Sequence, residues 1–308
     1  MVTVLLIDAA LAALLLVVVG RARAAWRQPR ARIAWLAALI GAIALLTQGT
    51  LIPLEVLDGV VGGTNVLKLV QNVLTMVALW LGIQAGTAPL SARVTTLRWR
   101  FPLVLGVLFA VVFFVALPDR GPSSFQFVED AAATSTGAWA YGVFHMAGIA
   151  LVGAMLCVSA RASLPGVRVL FRAGAIGIVL GCVSEIVDLT LARFATANAV
   201  VSSLFDPLFY LGVLAFVIGI FLASRVTART RRRGETLLRR LEVVAAARGV
   251  ARLPGLDDDA LDDTRLHALR VAVEDDAIST STPLTPVERV LLDEVDAHLL
   301  RLTPGARP

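Results

Sequence analysis

The chain has 308 residues, of which 57% are hydrophobic and only 17% are charged. Soluble domains carry roughly 25% charged residues, so this composition excludes an ordinary soluble domain and predicts an integral membrane protein. The net charge of +5 is compatible with a nucleic-acid partner, but the arginines lie at the ends of apolar segments. That placement is typical of membrane topology, and we predict the lipid bilayer, not nucleic acid, as the partner.

Seven apolar runs approach the ~20 residues that a membrane-spanning helix needs. In chain order, the predicted spans are residues 2–20, 33–51, 66–86, 101–117, 137–160, 173–194 and 204–224. The sequence therefore predicts an all-α, polytopic membrane protein. Residues 1–224 form a seven-helix transmembrane bundle, and residues 225–308 form a small cytoplasmic helical tail.

Loop charge predicts the orientation of the bundle. Arginines cluster in the first, third and fifth loops and directly after the last span, whereas the alternate loops carry mainly acidic residues. By the positive-inside rule, the N-terminus lies outside and the C-terminus lies in the cytoplasm. Lys68 is the only lysine. With the abundance of alanine and arginine, this bias is typical of a GC-rich bacterial genome, so we expect a bacterial plasma membrane.

The loop at residues 118–136 is long enough to shape an entrance on the outer side. Its glycine, serine and threonine content is equally typical of a mobile loop, and we favour that interpretation. Asp8 in the first span and Asp206 at the start of the seventh lie in the outer half of the bundle. Their interfacial position explains them, and a role in the site is the less favoured alternative.

The tail begins with a strongly basic segment, residues 225–252. Its apolar stripe predicts a helix that leaves the bilayer and lies along the anionic inner surface; the stripe comprises Leu237, Leu238, Leu241 and Val244. An acidic linker at 253–263 and a helix at about 263–278 follow. His267 and His298 are expected at the surface because neither has a cysteine or histidine partner at metal-ligand spacing.

The last tail helix has a sequence signature for its start. Thr285 is the expected N-cap, Pro286 the first helical residue and Glu288 the third, which together form a capping box. The tail has too few apolar residues for a large core. We therefore expect it to dock on the membrane domain, on a second copy as a homodimer, or on a cytoplasmic protein partner.

The polar residues inside the predicted spans carry most of the functional information, because charge inside a bilayer is costly. Glu185 and Asp188 lie three residues apart and share one face of the sixth span. Gly174, Gly177 and Gly181 fall within the same arc and predict close contact with another helix. At 1.5 Å per residue, Glu185 lies ~20 Å from the cytoplasmic side of a ~30 Å core.

Other spans bring polar groups to the same level. His145 in the fifth span is ~12 Å below the outer face, near the level of Glu185. Lys68, Gln71 and Asn72 share one face of the third span, with Lys68 near the outer interface. We predict that these residues and the two acids form a polar cluster in the outer half of the bundle.

Two interpretations of this cluster remain open. In the first, Lys68 neutralises Glu185 or Asp188, and Gln71, Asn72 and His145 complete a buried hydrogen-bonded plug that sets helix register. In the second, the cluster lines an outward-facing cavity whose acids bind a cation or relay protons.

The tail contains two distinctive segments: TRRRGETLLRRLEVV, directly after the membrane domain, and RLHALRVAVEDDAI at 265–278, a helix that runs from basic to acidic. In its layout and in these segments, the chain resembles a family of actinobacterial seven-span integral membrane proteins described as transporters. The family's Leu-Arg-Pro-Leu-Trp pattern is absent. The resemblance implies seven spans, a cytoplasmic helical tail and a transport function.

The leading functional hypothesis is a transporter or ion-coupled permease that uses Glu185, Asp188, Lys68 and His145. The alternative is a membrane sensor or signalling scaffold that acts through its cytoplasmic tail. A membrane-embedded enzyme acting on lipid ranks last, because no catalytic motif is present. We predict no cofactor and no metal site.

Overall fold

The computed structural model describes residues 2–27, 29–86, 92–159, 165–250 and 262–302. These residues form helices joined by turns and loops, and none of them is in a strand. The helices are α1 (Val2–Arg27), α2 (Pro29–Leu46), α3 (Leu54–Gly59), α4 (Val66–Gly86), α5 (Ala92–Ala116), α6 (Phe127–Thr134), α7 (Thr136–Ser159), α8 (Pro165–Phe194), α9 (Ala199–Ser202), α10 (Phe205–Ala247), α11 (Asp262–Ser279) and α12 (Pro286–Leu302). The chain divides into two compact units, Met1–Ala223 and Ser224–Pro308.

Long apolar helices dominate the first unit. Five helices, α1, α4, α7, α8 and α10, are long and apolar enough to cross a membrane, while α2 and α5 contain shorter apolar stretches, Ala31–Leu46 and Arg100–Ala116. Such helices are consistent with a membrane protein, as the composition predicted. The predicted acidic linker at 253–263 begins outside the described residues, which resume at Asp262.

The helices of the first unit pack in a connected series. Helix α2 contacts α1 and α4, α4 contacts α5 and α7, and α7 contacts α5, α6 and α8. The largest side chains at the centre are fully buried, among them Met76, Phe109, Phe113, Tyr141 and Ile178. This packing places α7 against both α4 and α8, and these three helices carry the predicted polar cluster.

Helices α8 and α10 approach each other at backbone distance. A Cβ added to Gly212 would lie 2.7 Å from the backbone nitrogen of Ile178, and one added to Gly174 would lie 2.7 Å from the carbonyl oxygen of Gly212. A Cβ on Gly177 would meet the Gly212 Cα at 3.0 Å. The close contact predicted for the glycine face of α8 is therefore present, and its partner is α10.

Helix α2 ends before the predicted span does. The prediction extended to residue 51, but the helix stops at Leu46 and a turn follows. Gly49 adopts φ +86°, a left-handed conformation that glycine tolerates and that breaks a helix. The Thr47 hydroxyl also donates to the Ala44 carbonyl at 2.7 Å. The turn places Gln48 beside α10, where its amide donates to the Tyr210 hydroxyl at 3.1 Å.

The loop at 118–136 is structured, which corrects the expectation of a mobile loop. It contains α6, whose Phe127, Val128 and Ala132 are buried in the core. The side-chain nitrogen of Asn65 donates to the carbonyls of Arg120 and Pro122 at 2.7 and 2.8 Å. Glycine and serine content alone could not predict these contacts, because they join the loop to the distant start of α4.

The second unit, which corresponds to the predicted tail, has its own small hydrophobic core. Leu237, Leu238 and Leu241 of α10 are buried against apolar residues of α11 and α12, such as Leu266 and Val295. The apolar stripe that the sequence predicted to face a membrane surface is therefore buried inside the tail. Residues 225–247 also continue α10 without a break, so the predicted seventh span and basic helix are one helix.

The start of α12 confirms the predicted capping box. The backbone nitrogen of Thr285 donates to the Glu288 carboxylate at 2.7 Å, and the Glu288 nitrogen donates to the Thr285 hydroxyl at 3.3 Å. His298 on the same helix is only 2% exposed, which corrects its expected surface position. His267 is exposed as expected.

Arg248 joins the three tail helices. Its guanidinium donates to both carboxylate oxygens of Glu288 at 2.7 Å, and it lies 3.5 Å from Asp276. The hydrogen bonds from Arg248 lower the pKa of Glu288 from 4.5 to about 2. Because the folded pKa is lowered, this carboxylate stabilises the tail above about pH 4.5, and its contribution is lost as the pH falls toward 2.

Replacing Glu288 with glutamine should therefore destabilise the tail by about 1–2 kcal/mol at neutral pH, because a bidentate charged hydrogen bond is lost. Amide hydrogen exchange of α11 and α12 in the full-length protein measures this effect. The difference from wild type should shrink at about pH 3, because the Glu288 carboxyl group is then largely protonated in the unfolded state and must lose that proton on folding. Glu294→Gln is the matched control, because the Arg240–Glu294 pair is exposed and should contribute only a few tenths of a kcal/mol. An equal effect of the two substitutions would contradict this assignment.

Candidate functional site

A cavity of about 510 Å³ lies within the first unit. Residues of α1, α2, α4, α6, α7, α8, α9 and α10 line it. All six residues of the predicted polar cluster are among its lining residues: Lys68, Gln71, Asn72, His145, Glu185 and Asp188. The fold thus brings together side chains from α4, α7 and α8 around one space.

The two acids of α8 lie at the wall of this cavity. Glu185 is only 5% exposed, and within the described part of the chain it has no hydrogen bond or ion pair. The Oδ1 atom of Asp188 is buried and also lacks a hydrogen-bond partner. Buried carboxylates are usually paired or hydrogen-bonded. Two carboxyl groups without such partners, facing one cavity, are available to a ligand.

Three further acids line the cavity: Glu129 and Asp130 of α6, and Asp206 of α10. Glu129, Asp188 and Asp206 all act electrostatically on Glu185, as does Lys68 with the opposite sign. The lining thus contains five acids against one lysine. Sequence analysis had explained Asp206 by its interfacial position and had not considered Glu129 as a site residue.

Lys68 does not pair with either acid of α8. Its ammonium donates to the carbonyl oxygen of Phe125 at 3.0 Å and lies 4.9 Å from the centre of the Phe125 ring. No ion pair within 4.0 Å joins Lys68 to Glu185 or Asp188. The ion pair that the plug interpretation assumed is therefore not formed by Lys68 in this structure.

The α4 and α7 side of the cavity is held by aromatic contacts. Asn72 donates to the Tyr141 hydroxyl at 2.9 Å, and the Tyr141 ring stacks on His145 with 6.1 Å between ring centres. His145 also meets the ring of Phe109 edge to face at 5.4 Å. Its Nε2 atom is buried without a hydrogen-bond partner. His145 is therefore positioned by its neighbours while one ring nitrogen remains unused.

The opposite side is formed by α10 and its neighbours. Tyr210 is 3% exposed and accepts the hydrogen bond from Gln48. The Asp206 carboxylate accepts a hydrogen bond from the Thr3 hydroxyl at 2.8 Å, which joins α10 to α1. Tyr210 and Gln48 were not predicted as site residues. Their only sequence signal is a polar group near the outer end of an apolar run.

This arrangement is suited to binding positive charge or to taking up and releasing protons. Carboxyl groups and an imidazole surround one space with few internal partners, and aromatic rings lie beside them. Among the described residues, no group of three or more histidine, cysteine or acidic side chains has the geometry to hold a metal ion.

Comparison of the chain with protein-family models, with curated proteins and with solved structures found no match.

Proposed function

We propose that the chain is a seven-span protein of a bacterial plasma membrane, with its N-terminus outside and its tail in the cytoplasm. Five helices have the length and apolar character for spanning. Helices α2 and α5 supply the other two spans. With 18 and 25 residues they measure ~27 and ~38 Å, and both pack between the longer helices. The alternation of basic and acidic loops supports the orientation.

We propose that the membrane domain is an ion-coupled permease. The observation that carries this proposal is the 510 Å³ cavity, in which five acids face one lysine and form no ion pair with it. Isolated charge inside a membrane protein is costly and usually marks an ion or proton pathway. A structural plug would instead pair its charges and leave no such space.

In this function, Glu185 and Asp188 bind the coupling cation or proton, and Glu129 and Asp206 add negative potential. His145 offers a second proton-binding group on the facing helix α7, and Lys68 holds the α6 loop through the Phe125 carbonyl. The close contact of α8 with α10 through Gly174, Gly177 and Gly212 allows the cavity walls to slide or rock with little side-chain interlocking.

The test is proton movement in liposomes that contain the purified protein and a trapped pH-sensitive dye. A membrane potential should drive protein-dependent proton flux. The double substitution Glu185→Gln and Asp188→Asn should lower that flux at least about tenfold, because both exchangeable carboxyl groups are removed. Unchanged flux, with only a lower thermal stability, would support the plug and overturn the proposal.

The matched control is the double substitution Glu55→Gln and Asp119→Asn. It makes the same chemical changes at exposed acids that do not line the cavity. Flux through this variant should equal that of wild type. A loss of flux in both double variants would show a general effect of removing negative charge and would contradict a specific role for the α8 acids.

A sensor or signalling scaffold is the second candidate. Helix α10 favours it: residues from Asp206 to Ile220 line the cavity, while Leu237 and Leu241 of the same helix belong to the tail core. In this function, a ligand in the cavity changes α10, and the tail passes the change to a cytoplasmic protein or a second copy. Deleting residues 234–308 should leave proton flux intact if the chain is a permease. The sensor would be favoured if neither the full chain nor the shortened chain moves protons, and if the deletion abolishes a signalling output of the full chain.

A further inference from the structure

The cavity has two chemically distinct ends. On α4, the lining changes from Lys68 and Asn72 to Ala78 and Leu79 within three turns. On α10, it changes from Asp206 to residues such as Ile220. The polar lining residues thus lie at one end of the cavity, near α6, and apolar side chains line the other end.

The apolar end is a substantial part of the cavity. Asp206 and Ile220, both α10 residues of the lining, lie 14 positions apart, or ~21 Å at 1.5 Å per residue. Beyond Tyr210, this lining consists of apolar side chains. Four of the five residues that α2 contributes to the lining are small and apolar: Ala37, Ala38, Gly41 and Ala44. Because these residues are small, they leave room for the body of a ligand.

The polar end favours positive charge through two independent features. Acids outnumber the single lysine, whose ammonium is already bound to the Phe125 carbonyl. In addition, Glu185 is nine-tenths buried and unpartnered at the cavity wall, and the buried Nε2 of His145 has no partner. An anion would meet the carboxylates, and a neutral ligand would leave them without a counter-charge.

We propose that this cavity binds an amphiphilic organic cation: an ammonium group at the acidic end, and an apolar alkyl or aryl body in the apolar end. The inference rests on the proposed role of the cavity in ligand binding and names the class of its ligand. A small inorganic cation would use only the acidic end, where the described residues contain no group of three or more histidine, cysteine or acidic side chains arranged to hold a metal ion. The volume lies within the range of about 300–1,000 Å³ that is usual for small organic ligands.

Binding to the full chain in lipid nanodiscs tests this proposal, with empty nanodiscs as the reference for partition into lipid. Three probes separate the two ends: 4-phenylbutylammonium, the neutral 4-phenylbutanol of the same skeleton, and n-butylammonium, which lacks the ring. The arylalkyl ammonium should bind at least about tenfold more tightly than either of the others. Equal binding of the neutral alcohol, or no binding of 4-phenylbutylammonium, would overturn the proposal.

Two variants test which part of the probe binds at the acidic end of the cavity and which part binds at the apolar end. Glu185→Gln should weaken binding of 4-phenylbutylammonium at least about tenfold and leave that of 4-phenylbutanol unchanged. Ala78→Phe fills the apolar end and should weaken 4-phenylbutylammonium more than n-butylammonium. Ala147→Phe is its control, because Ala147 is exposed on α7 and does not line the cavity. Equal loss with both phenylalanine variants would contradict the assignment of the apolar end.

The binding experiment and the proton-flux experiment can fail independently, so each tests its own proposal. If 4-phenylbutylammonium does not bind but the liposomes show Glu185-dependent proton flux, the ligand class is wrong and the permease proposal stands. If it binds with the expected selectivity and no flux is found, the ligand class stands and the permease proposal is wrong.

Discussion

Replacing Gly212 with alanine is expected to destabilise the first unit by about 3 kcal/mol or to prevent its folding. The added Cβ would lie 2.7 Å from the Ile178 nitrogen and 2.8 Å from the Gly174 carbonyl oxygen. Both are backbone atoms in a packed helix, so neither can move aside as a flexible side chain could. Helices α8 and α10 would have to separate. The measurement is the thermal unfolding midpoint of the purified protein in detergent, together with its yield in the membrane fraction.

Gly20→Ala is the control for this substitution. Gly20 lies within α1, and an added Cβ meets nothing within 4 Å. Alanine there should leave the midpoint unchanged or raise it, because alanine has the higher helix propensity. If Gly212→Ala and Gly20→Ala unfold at the same temperature, the backbone contact between α8 and α10 does not exist as described.

Replacing Asp58 with alanine is expected to cost about 3 kcal/mol and to release the loop that precedes α6. The Asp58 carboxylate is fully buried and accepts hydrogen bonds from the backbone nitrogens of Asn65 and Leu67 at 2.7 and 2.8 Å. It also accepts from the Ser123 hydroxyl. Alanine would leave the two nitrogens at the start of α4 buried without a partner. Asp58 thus joins α3 to the start of α4 and to the distant segment that precedes α6.

Amide hydrogen exchange measures this release locally. Residues 119–126 and the first turn of α4 should exchange faster in Asp58→Ala, while the centre of α7 keeps its protection. Glu55→Ala is the matched control, because Glu55 belongs to the same short helix α3 and is exposed. Ser123→Ala removes only one of the three hydrogen bonds and should give a smaller effect. If Glu55→Ala releases the loop as strongly as Asp58→Ala, the buried carboxylate is not what holds it.

The polar cluster was predictable where a helical face carries it. Glu185 and Asp188 share a face at three-residue spacing, and the glycines beside them indicate a helix contact. The helical rise of 1.5 Å per residue then predicted that His145 lies at a depth similar to that of Glu185. The same reasoning did not find Glu129. Glu129 lies in a segment that the sequence predicts to be a loop. No local pattern indicates that residues 127–134 form a helix packed against α7 and α8.

The pairing of Lys68 could not be read from the sequence either. One of the two interpretations paired Lys68 with an acid of the sixth span, but the Lys68 ammonium donates to the Phe125 carbonyl instead. This outcome depends on the path of the 118–126 segment, which Asp58 and Asn65 hold in place. The sequence contained the charged groups, and loop packing decided which of them remained free.

By itself, the sequence determined the helical character, the apolar segments, the capping box at Thr285 and the face shared by Glu185 and Asp188. These features depend on composition and on the 3.6-residue helical repeat, which act locally along the chain. Only the tertiary structure decided that α10 is the partner of the glycine face, that the tail leucines pack on one another, and that five acids surround one cavity. Those outcomes depend on contacts between distant segments, in which close packing and buried hydrogen bonds select one arrangement among many.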